Sequence, residues 1–155
     1  MRIISMAVFA SAALFAAGSA SAQVATELAQ KLDAGAEVCE AGLAGSALRA
    51  APVARDAGFT FDGGRQIWSW TGGGAMVAIQ FNDEGCDVLV VGQAGHADAV
   101  ADRVASRAHK HGYTVTRIAD PAASQSRIEG TSSDMSLAFR EVGGGILRLE
   151  FRPRF

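Results

Sequence analysis

His96, His109 and His111 are the only histidines in the chain, and histidine is the side chain whose unperturbed titration lies nearest neutral pH. His109 and His111 flank Lys110. Residues two apart on a helix point about 200° from each other, so the pair cannot share a metal ion; a helical zinc site uses i and i+4. Positive charge at a helix C-terminus accounts for both. His96 stands beside Asp98 at a predicted helix start, where the dipole does not favour its charged form. It is the candidate titrating group of a small envelope hydrolase, although no nucleophile is evident beside it. Ser46, Ser69, Ser106, Ser124, Ser126, Ser132, Ser133 and Ser136 lie in neither a G-x-S-x-G nor an S-x-x-K arrangement, and a hydrolase serine needs a base and an oxyanion hole.

Gly92-Gln93-Ala94-Gly95 falls between a predicted strand and a predicted helix, where free backbone N–H groups could meet an anion. The full dinucleotide spacing is missing, no Walker lysine follows, and Asp98 already places a negative charge there. A structural turn is expected, and no cofactor or metal is. Asp83-Glu84 sits in a predicted hairpin turn as solvated charge.

Trp68 and Trp70 are two apart in a predicted strand, so they share one face, with Gln66 continuing the row. Two uses compete: packing in the core, or an aromatic platform for a sugar, an apolar ligand or a partner chain. As a platform they are the candidate ligand-binding residues. Cys39 and Cys86 are the two cysteines, and in an exported chain an even count points to a bridge. There is no C-x-x-C redox motif.

Export itself is expected from the first residues. Arg2 precedes an apolar run from Ile3 to Ala17, and Ala20-Ser21-Ala22 supplies the small-residue pattern for cleavage before Gln23. The run is too short for the roughly 20 residues that span a bilayer. Residues 1–22 are therefore read as a cleavable signal peptide, and residues 23–155 as a single exported domain in the periplasm or outside the cell. No transmembrane segment is expected after cleavage.

The elements that must position these residues follow from periodicity. Val24, Leu28, Leu32, Cys39 and Leu43 mark an N-terminal helix weakened by Gly35, and a short helix is expected at Val53–Ala57 with Pro52 in its first turn. Four strands follow at Phe59–Asp62, Arg65–Thr71, Met76–Phe81 and Cys86–Val91, separated by glycine-rich or Asn-Asp turns too short for parallel crossovers. A central amphipathic helix spans Ala97–His111. Strands are then expected at Tyr113–Ile118, near Ile128, at Met135–Val142 and at Ile146–Arg152.

The fold class is α+β: an N-terminal and a central helix packed on antiparallel meander hairpins, with one disulfide. Trp70-Thr71-Gly72-Gly73-Gly74 with Val77, Ile79 and Phe81 parallels Glu141-Val142-Gly143-Gly144-Gly145 with Leu147, Leu149 and Phe151. The parallel suggests an internal two-fold repeat, against which stands one inserted residue.

The net charge of −2 gives no reason to expect nucleic acid. Residues 23–102 carry 4 basic and 11 acidic side chains and residues 103–155 carry 9 and 5. Such asymmetry either steers a charged partner or cancels where the halves interleave. The leading expectation is a non-enzymatic binding or protein-interaction module, whose partner is another envelope or extracellular protein or a small ligand. The alternatives are the hydrolase built on His96 and a structural envelope component.

Overall fold

The computed structural model describes residues 17–93, 96–119 and 127–154. Most of the predicted signal peptide, together with Ala94, Gly95, Ser124 and Ser126, lies outside the described residues. Helix α1 spans Ala17–Ala44, α2 spans Ala47–Asp56 and α3 spans Ala97–Lys110.

The first buried side chain of α1 among those described is Leu28, and Leu32, Ala36, Val38 and Cys39 continue the covered stripe. The two glycines that weaken α1 have a packing reason. A Cβ on Gly35 would stand 3.0 Å from Val88 Cγ1, and one on Gly42 would stand 2.4 Å from the Phe81 ring. Glycine costs about 1 kcal/mol of helix propensity at each site, and in exchange the helix lies close against the sheet.

Helix α2 begins earlier than expected. Ser46 precedes its first residue and Pro52 lies inside it, not in its first turn. A proline there removes the hydrogen bond to the carbonyl four residues back, which is that of Leu48, in a turn whose Leu48 side chain is 85% exposed. Water can serve that carbonyl, while Ala50 and Ala54 bury against the core on the other side.

The strands are β1 Thr60–Asp62, β2 Ile67–Gly72, β3 Ala75–Asn82, β4 Gly85–Val91, β5 Thr114–Ile118, β6 Arg127–Thr131, β7 Met135–Glu141 and β8 Leu147–Pro153. They form one eight-stranded sheet in the order β1-β2-β3-β4-β8-β7-β6-β5, with every neighbouring pair antiparallel. One meander holds β1 to β4, a second holds β5 to β8, and their edges join at β4 and β8.

Each meander follows a helix, so the order of elements repeats about the β4–β8 joint. The glycine hairpins that suggested a repeat are not its equivalents. The first joins β2 to β3 and the second joins β7 to β8, whereas the repeat of topology matches β3–β4 with β7–β8. Their likeness is convergence on tight hairpin chemistry, in which glycine supplies positive φ.

Register lines up a core row across the sheet. Trp68 lies opposite Ile79, Ile79 opposite Val88, Val88 opposite Leu149, Leu149 opposite Phe139, and Phe139 opposite Ile128. All six are buried, and burying each such side chain stabilises by about 1.5–3 kcal/mol. The contacts of Gly35 and Gly42 set α1 on this face. Arg55 over the Trp68 ring brings α2 there, and α3 joins them through Val104 and Ala108 beside Leu137, Leu149 and Phe151. Within the described residues all three helices therefore cover one face. Cys39 of α1 is bonded to Cys86 of β4, tying helix to sheet as expected. No described helix is long and apolar enough to cross a membrane.

Candidate functional site

The opposite face of the sheet has no helix over it among the described residues. Alternation decides what it carries: apolar Ile67, Met76, Ala78, Leu89 and Val91 with polar Ser69, Thr71 and Gln80 on β2 to β4, then Asp87, Arg140, Arg148, Glu150 and Arg152 around the β4–β8 joint. Leu89 lies directly opposite Arg148, and Asp87 opposite Glu150, so an apolar area borders a charged one.

The charged area is a closed network. Asp87, only 4% exposed, accepts hydrogen bonds from Arg148 Nη2 at 2.7 Å, Arg152 Nη1 at 2.9 Å and Asn82 Nδ2 at 2.9 Å. Glu150 Oε1 accepts from Arg140 Nη2 at 2.9 Å. It also faces Arg148 Nε at 3.1 Å, without the alignment of a hydrogen bond. The hydrogen bond to Asp87 raises the Arg148 guanidinium above its ordinary range, so it stays charged at every working pH. Arg152 Nη1 further donates to the Phe151 carbonyl at 2.9 Å. Beside this network an open depression of about 190 Å³ lies over β6, β7 and β8, with Ser136 and Ala138 between Glu129, Thr131, Glu150 and Arg152.

Paired groups of this kind are held in place before any partner arrives. The arrangement offers fixed charge and a flat apolar strip. No metal-binding cluster of His, Cys, Asp or Glu occurs among the described residues.

A second buried cluster lies on the helix side. Glu40 of α1 accepts from Arg107 Nη1 at 3.1 Å and Nη2 at 2.8 Å, and from the Tyr113 hydroxyl at 3.2 Å. His111 Nδ1 stands 3.7 Å from the same carboxylate. Arg107 is only 7% exposed, so the forked pair is a structural anchor between α1 and α3. The neighbouring gap is about 10 Å³, far too small for a substrate.

Burial, and then the nearby Glu40 charge, push the Tyr113 phenol upward from its ordinary value of 10.0. A raised acid keeps its proton in the folded chain while the unfolded chain loses it. Stability is therefore unaffected well below pH 10 and falls as pH rises beyond it. The chain has a single tyrosine, so phenolate absorbance reads this group alone. Alkaline titration should show it ionising only together with unfolding, and Tyr113→Phe should flatten the alkaline fall in urea midpoint. Ionisation near pH 10 in the folded chain would contradict the burial argument.

The residues singled out from sequence fall elsewhere. Trp68 and Trp70 do share a face, but it is the helix-covered one. Trp68 is 8% exposed and Trp70 partly buried against the core. Their rings already hold the chain's own cations, Arg55 at 5.7 Å from the Trp68 centroid and Lys31 at 5.6 Å from that of Trp70. Phe61 packs on Trp68 at 4.9 Å. Trp68 is a core residue, and Trp70 packs partly buried at the margin of the core. His96 is exposed at the N-cap of α3 and makes no side-chain cap bond; it joins neither cluster. Gly92 has φ +90°, and a Cβ there would meet the Gly74 carbonyl oxygen at 2.4 Å, so backbone packing explains the glycine.

Part of the charge asymmetry is paired within the molecule. Asp33 pairs with Arg103, Glu40 with Arg107, and Asp87 with Arg148 and Arg152. Each pair joins the acidic stretch to the basic one, so the interleaving alternative holds for these groups, and their charges bind the two halves together. The sequence reading passed over Asp87, Arg148 and Arg152. Their signal was present, as a lone carboxylate inside the apolar strand Cys86-Asp87-Val88-Leu89-Val90, because a charge in such a run needs a partner. No family model, curated protein or solved structure matches the chain.

Proposed function

We propose that the mature chain is an exported, non-enzymatic binding module that works through the helix-free face of its sheet. The observation that carries this reading is that face: apolar Ile67, Met76, Leu89 and Val91 beside a network of charges already paired with one another. Eight strands at about 4.8 Å spacing, averaging about 20 Å in length, present roughly 700 Å², close to the ~800 Å² that one partner contributes to a standard protein interface. The 190 Å³ depression is open, whereas small-molecule pockets run from about 300 Å³ and are concave. A flat protein surface therefore suits the face better than a small ligand.

The buried disulfide supports an oxidising compartment, the periplasm or the exterior. Cleavage before Gln23 would shorten α1 and retain the buried stripe of Leu28, Leu32, Ala36, Val38 and Cys39. A photoreactive residue placed at Leu89 in cells should give one discrete covalent adduct with an envelope protein, and the same residue at exposed Glu37 on α1 should not. The reading fails if Leu89 yields no adduct, or if both positions yield the same one.

A further inference from the structure

We infer that the β5 edge is a self-association surface, at which a second copy of this chain adds its own β5 antiparallel to make a continuous sixteen-stranded sheet. This inference does not depend on the proposed binding face.

The two ends of the sheet differ. β1 is three residues long, the blunt kind of edge that resists pairing. β5 runs for five residues, Thr114-Val115-Thr116-Arg117-Ile118, four of them β-branched, with neither proline nor glycine. Among the described residues no strand lies beyond it.

The occupant is a second copy because the strand is complementary to itself in one register. A two-fold axis at Thr116 overlaps all five residues. It sets Thr116 against its own symmetry mate, Thr114 against Ile118, and Val115 against Arg117. The only charge on the strand thus faces a valine, and it is already paired with Asp102. Moving the axis to Arg117 would put two guanidiniums face to face and shorten the overlap.

The fold uses this operation once already, since β4 and β8 join two four-stranded meanders edge to edge. Space permits its repetition. α3 packs over β5, β6 and β7, so its symmetry mate would lie about three strand spacings away, roughly 14 Å, wider than the 8–10 Å of packed helices. Five paired residues bury far less than the roughly 1,200 Å² of a stable interface, so the dimer is weak and forms at high concentration.

The chain has no free cysteine, which makes cross-linking specific. Directly opposed residues in an antiparallel pair have Cα atoms about 4.5–5.5 Å apart, within disulfide reach. Under mild oxidation Thr116→Cys should cross-link to a covalent dimer on the order of ten-fold faster than Thr131→Cys, which sits one strand inside the edge. Sedimentation equilibrium of the unsubstituted chain, which does not rely on any variant folding, should show a concentration-dependent dimer that Thr116→Lys abolishes. Equal rates for Thr116→Cys and Thr131→Cys would overturn the inference, as would a monomer at every concentration.

Discussion

Replacing Asp87 with alanine should destabilise the fold by about 3 kcal/mol, the lower end of what removing one partner of a buried ion pair costs. Asp87 accepts a hydrogen bond from each of Arg148 and Arg152. Without it Arg148 keeps only Glu150, and Arg152 keeps Glu150, Glu84 and backbone carbonyls. The two guanidiniums are 30% and 23% exposed, which allows some rescue by water and sets the estimate low in the range. The loss falls at the β4–β8 joint, so it should loosen the two meanders from each other. A triple variant, Asp87→Leu with Arg148→Met and Arg152→Met, should recover most of the stability, because apolar side chains of similar volume often replace a buried ion network without loss. The check is urea unfolding of the two variants beside the parent. A cost below about 1 kcal/mol for Asp87→Ala would mean that the network contributes little more than an exposed pair.

The sequence made the elements legible where period and punctuation agreed. Leu147, Leu149 and Phe151 alternate with Arg148, Glu150 and Arg152, and β8 carries that alternation as three buried residues between partly buried ones. α3 announces itself by its apolar stripe and by acidic and basic ends. Pro52 misled because a proline is a stop or start signal only where its missing N–H has no alternative. The α2 turn in front of it faces water, and tertiary burial of Ala50 and Ala54 overrides the local rule.

The candidate surface was much less legible. Alternation puts Arg148, Glu150 and Arg152 on the face away from the core, but only strand order brings them beside Asp87, 61 residues earlier than the first of them. Strand order is a long-range property that periodicity does not encode. Trp68 and Trp70 show the converse. Their shared face follows from spacing alone, yet which face the helices cover is decided by α1 and α2, and the rings end beneath Lys31 and Arg55.

The Cys39–Cys86 bond spans 47 positions of sequence, and on the chain-entropy account closing such a loop stabilises by about 4 kcal/mol. Both residues are fully buried, so a reductant reaches the bond only when the molecule opens. Two observations should follow. Reductant added to the folded protein should leave its spectrum unchanged until unfolding begins, whereas a Cys39→Ala, Cys86→Ala variant should lose about 4 kcal/mol in urea unfolding yet still fold. Folding should survive because the row from Trp68 to Ile128 does not pass through either cysteine, and because Arg103–Asp33 and Arg107–Glu40 hold α1 to α3 separately. The bond contributes the one covalent tie between α1 and the first meander, so its loss should free α1 before the sheet, and amide exchange should rise first in residues 28–44. A double variant as stable as the parent would show that the denatured chain is already compact enough for closure to gain nothing. Unfolding of the whole chain in one step with uniform exchange would instead show that α1 and the sheet are a single cooperative unit without the tie.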